Sequence, residues 1–315
     1  MPGRAFTTSL IVASRNRAEH LPAMLARLPV ESMAARGVEL VLVDSASEDG
    51  TLEVMRTFCA AIPLSAQAIR VEVKGQHVAH AAGVAAAQGE LLAFTDDDCF
   101  LAPDYFDVLY REFDPDLYQY GAGEIVIPDP TDDPRLANTA WWPFPDSKKV
   151  IAPETRYGPG FVQGGNMFFL RSVIDRLGGW QFFLDGDSDA AMSIMASLAG
   201  FTGVLVRGLV VEHHHGHKRG SPSVLRRLEA YARSRGAYSA FLLTRGLAAP
   251  WAVWDRTQLR PLDGRRIRNA QLEFEGAALY LERLARERAA ERSRPAAGPQ
   301  EARPPEAMPA LDREA

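Results

Sequence analysis

Cysteine is almost missing from the chain. Cys59 and Cys99 stand alone among 315 residues, too few for a disulfide framework, and a reducing compartment is the simpler expectation. Long apolar runs are missing as well. No window reaches the roughly 18 apolar residues of a membrane span. The opening MPGRAFTTSLIVASRNR lacks the long apolar core and small-residue cleavage site of a secretory signal. The expected setting is therefore cytoplasmic, with any membrane contact peripheral, at the inner face. Strong charge of one sign is also absent. The 35 Lys and Arg against 40 Asp and Glu leave a net charge of -5, which gives no bulk attraction to nucleic acid or an anionic membrane. Finally, no Gly-rich phosphate loop follows an aliphatic run, neither G-x-x-x-x-G-K-S/T nor G-x-G-x-x-G. That argues against a P-loop nucleotidase and a dinucleotide dehydrogenase.

What is present is alternation. SLIVAS, VELVLVDS, AIRVEV and ELLAFT are short aliphatic runs, suited to strands buried on both faces of a sheet. In AEHLPAMLARLP, Leu21, Met24, Leu25 and Leu28 recur at helical spacing. EDGTLEVMRTFCAAI turns into a second helix. HVAHAAGVAAAQG is a small-residue helix with Gly89 as its expected C-cap. Pro103 stands near the start of the helix PDYFDVLYREF. The pattern predicts an α/β fold with a mostly parallel central sheet and helices on both faces. After YGAGEIVI it breaks. Pro128 to Gly160 is rich in Pro, Asp and aromatics, with Trp141 and Trp142 among them. Irregular stretches of that length are usually lids or binding loops, or else disordered. A helix is expected to start near Asp187, and TGVLVRGLVVEHHH reads as another strand. Two long amphipathic helices follow over 218–292. Their Arg-rich faces read as solvated, with a lipid-surface contact as the minor alternative. The Pro/Ala/Glu-rich end, 293–315, is expected to be disordered.

Parallel strands bring their carboxyl ends to one rim, where ligands of doubly wound sheets bind. Ser14, Arg15, Asn16 and Arg17 follow the first strand, Asp44 and Ser45 the second, and Lys74 and Gly75 the third. Asp96, Asp97 and Asp98 follow the fourth. A single Asp there is as readily a cap or turn residue, but three adjacent carboxylates exceed what a cap needs. By chemistry their partner is a hard divalent cation carrying substrate phosphates. In HHHGH, His213 and His215 share one face of a strand and His214 points away.

With these motifs in hand, TTSLIVASRNRAEHLPAMLARL, VELVLVDSASEDGT and GELLAFTDDDCFLAP resemble the nucleotide-sugar half of family 2 glycosyltransferases, which have the GT-A fold. GGNMFFLRSVIDRLGGW, DGDSDAAMSIMASLAGF and VVEHHH resemble the acceptor half. Each motif is weak alone, and six in order are strong. The resemblance covers roughly residues 6 to 217. It implies a catalytic domain over 1–217, with a nucleotide-sugar half at 6–127 and an acceptor half at 128–217, and a helical extension over 218–292.

Position by position, the resemblance implies that Ala13 and Arg15 lie against the nucleotide and that Asp44 accepts a hydrogen bond from the base. It places Asp96 and Asp97 near the ribose and diphosphate, and makes Asp98 the metal ligand. Gly164, Gly165 and Asn166 match an acceptor-side loop, Asp187 the catalytic base, and His213 a histidine that completes the metal shell in some members. A histidine beside Asp98 tilts the choice toward Mn²⁺ over Mg²⁺. Many relatives carry Arg-Asn after strand three where this chain has His80 and Ala81, so a cationic contact to the donor is either missing or supplied from elsewhere, with Lys74 as one candidate. Glu-Asp of relatives is Gly186-Asp187 here, and Gln181 stands where an Asp is common. Asp187 is also a plausible plain N-cap, with Asp189 as the fallback base. Trp180, with Trp141 and Trp142, is a candidate stacking surface for an acceptor sugar.

The implied reaction is inverting, metal-dependent transfer from a UDP- or GDP-linked sugar to a hydroxyl of a glycan, lipid-linked or small-molecule acceptor, with no role for nucleic acid. Two rivals stay open. The lost Arg-Asn and Glu leave room for a catalytically silent carbohydrate-binding or scaffold protein of the same fold. A sugar-phosphate nucleotidyltransferase should show a Gly-rich basic loop after strand one, and VASRNRAEH has no glycine.

Overall fold

A computed structural model describes residues 6–136, 139, 142, 144, 146–156, 161–184, 186–247 and 264–292. Trp141 and the end at 293–315, both addressed by the sequence expectations, lie outside the described residues. Four strands, β1 (Thr8–Ser14), β2 (Glu39–Ser45), β3 (Ala66–Val71) and β4 (Leu91–Asp96), run parallel in the order β3-β2-β1-β4. β1, β2 and β4 are buried on both faces, which is why they read as unbroken aliphatic runs rather than alternating ones. The intervening helices are α1 (Leu21–Leu25), α2 (Val30–Ala35), α3 (Thr51–Ala61) and α4 (Gln76–Ala86).

Two local expectations are corrected. The helix expected over AEHLPAMLARLP stops at Leu25, and Pro29 then caps α2, because proline has no N–H with which to continue a helix. Gly89 is not the C-cap of α4, which ends at Ala86 with Ala87 as its cap. Gly89 serves close packing instead. A Cβ there would lie 2.5 Å from the backbone nitrogen of Ser9, and the Gly89 N–H donates to Ser9 Oγ at 2.8 Å.

The second half adds β5 (Cys99–Leu101), α5 (Tyr105–Glu112), β6 (Tyr120–Val126), β7 (Lys148–Ile151), β8 (Met167–Leu170), α6 (Arg171–Arg176), α7 (Ser188–Leu198) and β9 (Gly203–His213). β8 joins the sheet antiparallel to β4 and β6. β9 runs parallel to β6, while β5 and β7 pair antiparallel with β9. The Pro- and Asp-rich excursion therefore contains a strand, β7, and it is anchored. Trp142 and Phe144 are buried and stacked, and Arg207 donates to both their carbonyls. Trp142 is thus a packing residue and not a sugar platform.

The chain closes with α8 (Pro222–Thr244) and α9 (Gly264–Arg292). They cross where Gly236 and Gly276 meet, and a Cβ on either would collide with a backbone carbonyl of the other helix. Phe241 and Tyr280 from this pair share a core with Phe183, Ala190 and Ile194 around the start of α7. The helical extension is packed against the residues that flank Asp187. Among the described residues, no helix is long and apolar enough to cross a membrane.

Candidate active site

A cleft of about 1060 Å³ opens beyond the carboxyl ends of the parallel strands. Its lining includes Ala13, Arg15 and Lys74 with the three carboxylates Asp96, Asp97 and Asp98. Gly164, Gly165, Asp187 and His213 line it as well. The topology brings these together. Ala13 pairs with Asp96 in the β1–β4 register, and Cys99 pairs with His213 in the β5–β9 register. Asp98, one residue before Cys99, then meets the imidazole, with Oδ1 at 3.3 Å from His213 Nε2. His214 turns to the other side and packs on Phe100 at 4.3 Å, as strand alternation requires.

The Asp triplet has a partner that the sequence reading did not single out. Arg17 donates from Nε to Asp97 Oδ1 at 3.2 Å and from Nη2 to Asp98 Oδ2 at 3.1 Å. Ser14 also donates to Asp97. Arg15, its neighbour, pairs instead with Glu48 at 3.3 Å on the exposed edge. The three carboxylates consequently differ. Burial, and then the charge of Asp98, push Asp96 up to about 7. Burial also raises Asp97, against the pull of Arg17 and Ser14. Burial works against ionising Asp98 too, but the hydrogen bond and charge of His213, with Arg17 and Arg227, outweigh it and hold Asp98 at about 2.

The donor set suits a divalent metal. Ligand atoms of Asp98, Cys99 and His213 all lie within 4.8 Å of one another. Asp98 supplies a fully ionised oxygen and His213 an imidazole nitrogen. Burial holds the Cys99 thiol well above its ordinary range, so it stays protonated behind the other two. One carboxylate and one imidazole match Mn²⁺ or Mg²⁺, the softer ligand favouring Mn²⁺.

Asp187, also on the cleft, occupies the N-cap position of α7, yet its side chain makes no capping hydrogen bond. Oδ1 instead accepts from the N–H of Phe183 at 2.9 Å and of Leu184 at 2.8 Å. Oδ2 is buried and makes no hydrogen bond of ordinary geometry, although the Ser234 hydroxyl of the same cleft lies near enough to oppose the effect of burial. Burial pushes this carboxyl up to about 7. Asp189, the fallback, is spent differently. Its two oxygens accept from the N–H of Ala190 at 2.7 Å and of Gly164 at 3.0 Å, so it fixes the glycine turn. Gly165 in that turn permits close approach, since a Cβ there would lie 2.9 Å from Cys99 Sγ and 3.4 Å from Asp96 Oδ2.

Three expected site residues are not on the cleft wall. Asp44 is fully buried, with Oδ2 at 2.7 Å from Arg70 Nη1 and Oδ1 without a partner. Its neighbour Ser45 lines the cleft, so Asp44 stands behind the wall. Asn166 is fully buried and acts as a rivet. It donates to the carbonyls of Glu124 and Leu209 and accepts from Tyr105 Oη at 2.8 Å. Trp180 packs among Phe94, His80 and Phe169, with 4.6 Å between the Trp180 and Phe94 rings. It is a core aromatic and not an acceptor platform. The sequence reading foresaw the helix α8 but not its place at the site, where it puts Arg227, Tyr231 and Ser234 on the cleft. Their i, i+4, i+7 spacing was a legible signal for one shared face.

Residues 9–178 match the model of glycosyl transferase family 2. The chain belongs to this family. Glycosyltransferase AglE of Haloferax volcanii is 32% identical over 91 residues, 29% of this chain and 30% of that protein. The match thus spans under a third of the curated relative's length. Among solved structures, the mannosyltransferase PcManGT of Pyrobaculum calidifontis, in complex with GDP-Man and Mn²⁺, superposes with a TM-score of 0.57 at 20% identity, covering 92% of this chain and 77% of its own. TarS 1-349 of S. aureus, in complex with UDP-GlcNAc, gives 0.55 at 12% identity, covering 88% and 73%. These likenesses are of fold, and the fold is GT-A. The family 2 match ends before Asp187, His213 and α8, so much of the cleft lies beyond the matched span.

Proposed function

We propose that this family 2 protein transfers a sugar, with inversion, from a nucleoside diphosphate donor to an acceptor hydroxyl, with Asp187 as the general base. One observation carries the reading. Asp187 is oriented through Oδ1 while Oδ2 makes no hydrogen bond of ordinary geometry, with only the Ser234 hydroxyl near it, and burial raises its proton affinity to match a neutral-pH base. A plain N-cap would have accepted a hydrogen bond from a backbone N–H in the first turn of α7. Asp187 takes the proton of the acceptor hydroxyl, and that oxygen attacks the anomeric carbon. The bond from that carbon to the diphosphate breaks on the opposite face, and the nucleoside diphosphate departs. Mn²⁺ or Mg²⁺, held by Asp98 and His213, would neutralise charge on the leaving diphosphate. Asp96 and Asp97 flank that position, and Arg17 orients Asp97 and Asp98.

The GDP-Man and UDP-GlcNAc of the structural neighbours support a GDP- or UDP-sugar as donor. The two free cysteines are consistent with a cytoplasmic setting. The silent-relative rival has no use for a buried carboxylate oxygen that makes no hydrogen bond of ordinary geometry, and the nucleotidyltransferase rival lacks its glycine loop at residues 14–19.

A thermal-shift panel of nucleotide sugars with and without Mn²⁺ tests the donor site. A UDP- or GDP-sugar at 100 times its Kd should stabilise the protein by about 2.7 kcal/mol, only with metal present, and Asp98→Ala should abolish the effect. Equal stabilisation without metal, or none with any nucleotide, refutes the assignment.

A further inference from the structure

The cations that line the cleft divide into two groups. Arg17 is spent on Asp97 and Asp98, Arg15 on Glu48, Arg135 on Asp133 and Arg235 on Glu273. Lys74 and Arg227 line the same cleft, and among the described residues neither makes an ion pair or hydrogen bond. They come from opposite parts of the fold, Lys74 from beyond β3 and Arg227 from α8.

Arg227 is placed there by construction. His217, two residues beyond the His215 that shares a face with His213, has Nδ1 at 3.0 Å from Ser223 Oγ in the first turn of α8. Ser221 caps that turn by accepting from the Val224 N–H. The start of α8 is therefore tied to the segment that carries His213. Elsewhere the helix spends its charges on α9, through Arg233 with Glu275, Arg235 with Glu273 and Glu229 with Arg268. Arg227 instead lies near enough to the Asp98 and His217 groups for its charge to act on both. An exposed guanidinium beside the metal-ligand candidates, with no ion pair among the described residues, matches a phosphate, whose oxygens it can bind in pairs.

We propose that Arg227, with Lys74, binds the diphosphate of the nucleoside diphosphate donor, so that α8 completes the donor site. This rests on the donor reading above. It also accounts for the missing Arg-Asn after strand three. The cation that neutralises the leaving group is supplied from a helix that the family 2 match does not reach.

Calorimetric titration with Mn²⁺ and UDP, GDP, UMP and GMP tests the proposal on the full chain, comparing wild type, Arg227→Ala and Arg226→Ala. Arg226 is exposed on the same helix but does not line the cleft, so it controls for loss of a positive charge. Arg227→Ala removes an exposed side chain that makes no hydrogen bond or ion pair among the described residues, and it should fold as wild type. It should weaken the tighter-binding nucleoside diphosphate by about 10- to 100-fold, the range of a charge-assisted hydrogen bond. The matching monophosphate should weaken by less than about threefold, and Arg226→Ala should change neither. Unchanged diphosphate affinity in Arg227→Ala overturns the proposal, as does equal weakening by Arg226→Ala or equal weakening of mono- and diphosphate. If wild type binds no nucleoside diphosphate, the donor reading itself fails and this assignment falls with it.

Discussion

Asp187→Asn keeps the shape of the side chain and removes its charge, so it separates the chemistry of this residue from its packing. The amide oxygen can still accept from the N–H of Phe183 and Leu184. What disappears is the cost of ionising a buried carboxyl. A rise from 3.8 to about 7 corresponds to roughly 4 kcal/mol. The sign follows from linkage. Between these two values the folded protein holds a proton that the unfolded chain has lost, so this group's contribution falls as pH rises from about 4 and levels off above about 7. Asn has no such dependence. The stability of Asp187→Asn relative to wild type should therefore grow by roughly 2–3 kcal/mol between pH 5 and pH 8, read by chemical denaturation at both values. Over the same range the variant should lose transfer by about 10²- to 10⁴-fold, the usual contribution of a general base. Wild-type kcat/KM should fall about tenfold per pH unit below about 7, and residual activity of the variant should lack that limb. A stability difference that is the same at both pH values, or turnover kept within about tenfold, would refute the role given to this buried carboxyl.

Two further outcomes check the placement of residues around the cleft. Trp180→Ala should cost about 3–5 kcal/mol in denaturation and leave the acceptor KM unchanged, because the ring packs on Phe94 and not on the cleft. A selective rise in acceptor KM at unchanged stability would restore it as a sugar platform. Gly165→Ala should push Cys99 and Asp96 away and lower stability by about 1–3 kcal/mol, with metal-dependent nucleotide binding weakened in the same variant. Wild-type melting and nucleotide affinity in that variant would show that the turn has room to spare.

Much of the first half was legible because its strands are buried on both faces and so advertise themselves as aliphatic runs. The rim residues Lys74 and Asp96 to Asp98 followed from strand ends alone. Which neighbour faces the cleft did not. Asp44 and Ser45 are adjacent at the end of β2, yet only Ser45 lines the cleft, since successive side chains of a strand point to opposite faces. Gly165 and Asn166 also divide, although they lie in a tight helical turn and not in a strand, one at the cleft and one riveting β6 and β9. The antiparallel insertion of β8 between β4 and β6 has no local signature, because pairing partners are set by distant segments.

The amino-acid order by itself determined the chemistry on offer: carboxylates at the end of a buried strand, an Asp before a helix, a histidine run after a strand, and no glycine loop to bind phosphate. Only the tertiary structure decided how those groups are employed. It gave Asp98 to Arg17 and His213, spent both oxygens of Asp189 on backbone N–H groups, and left one oxygen of Asp187 without a hydrogen bond of ordinary geometry. It also brought Arg227 of α8 to a cleft built mainly from residues far earlier in the chain. Proton affinity and charge neutralisation depend on what lies within a few ångströms, and folding sets those neighbours across separations of tens to hundreds of residues.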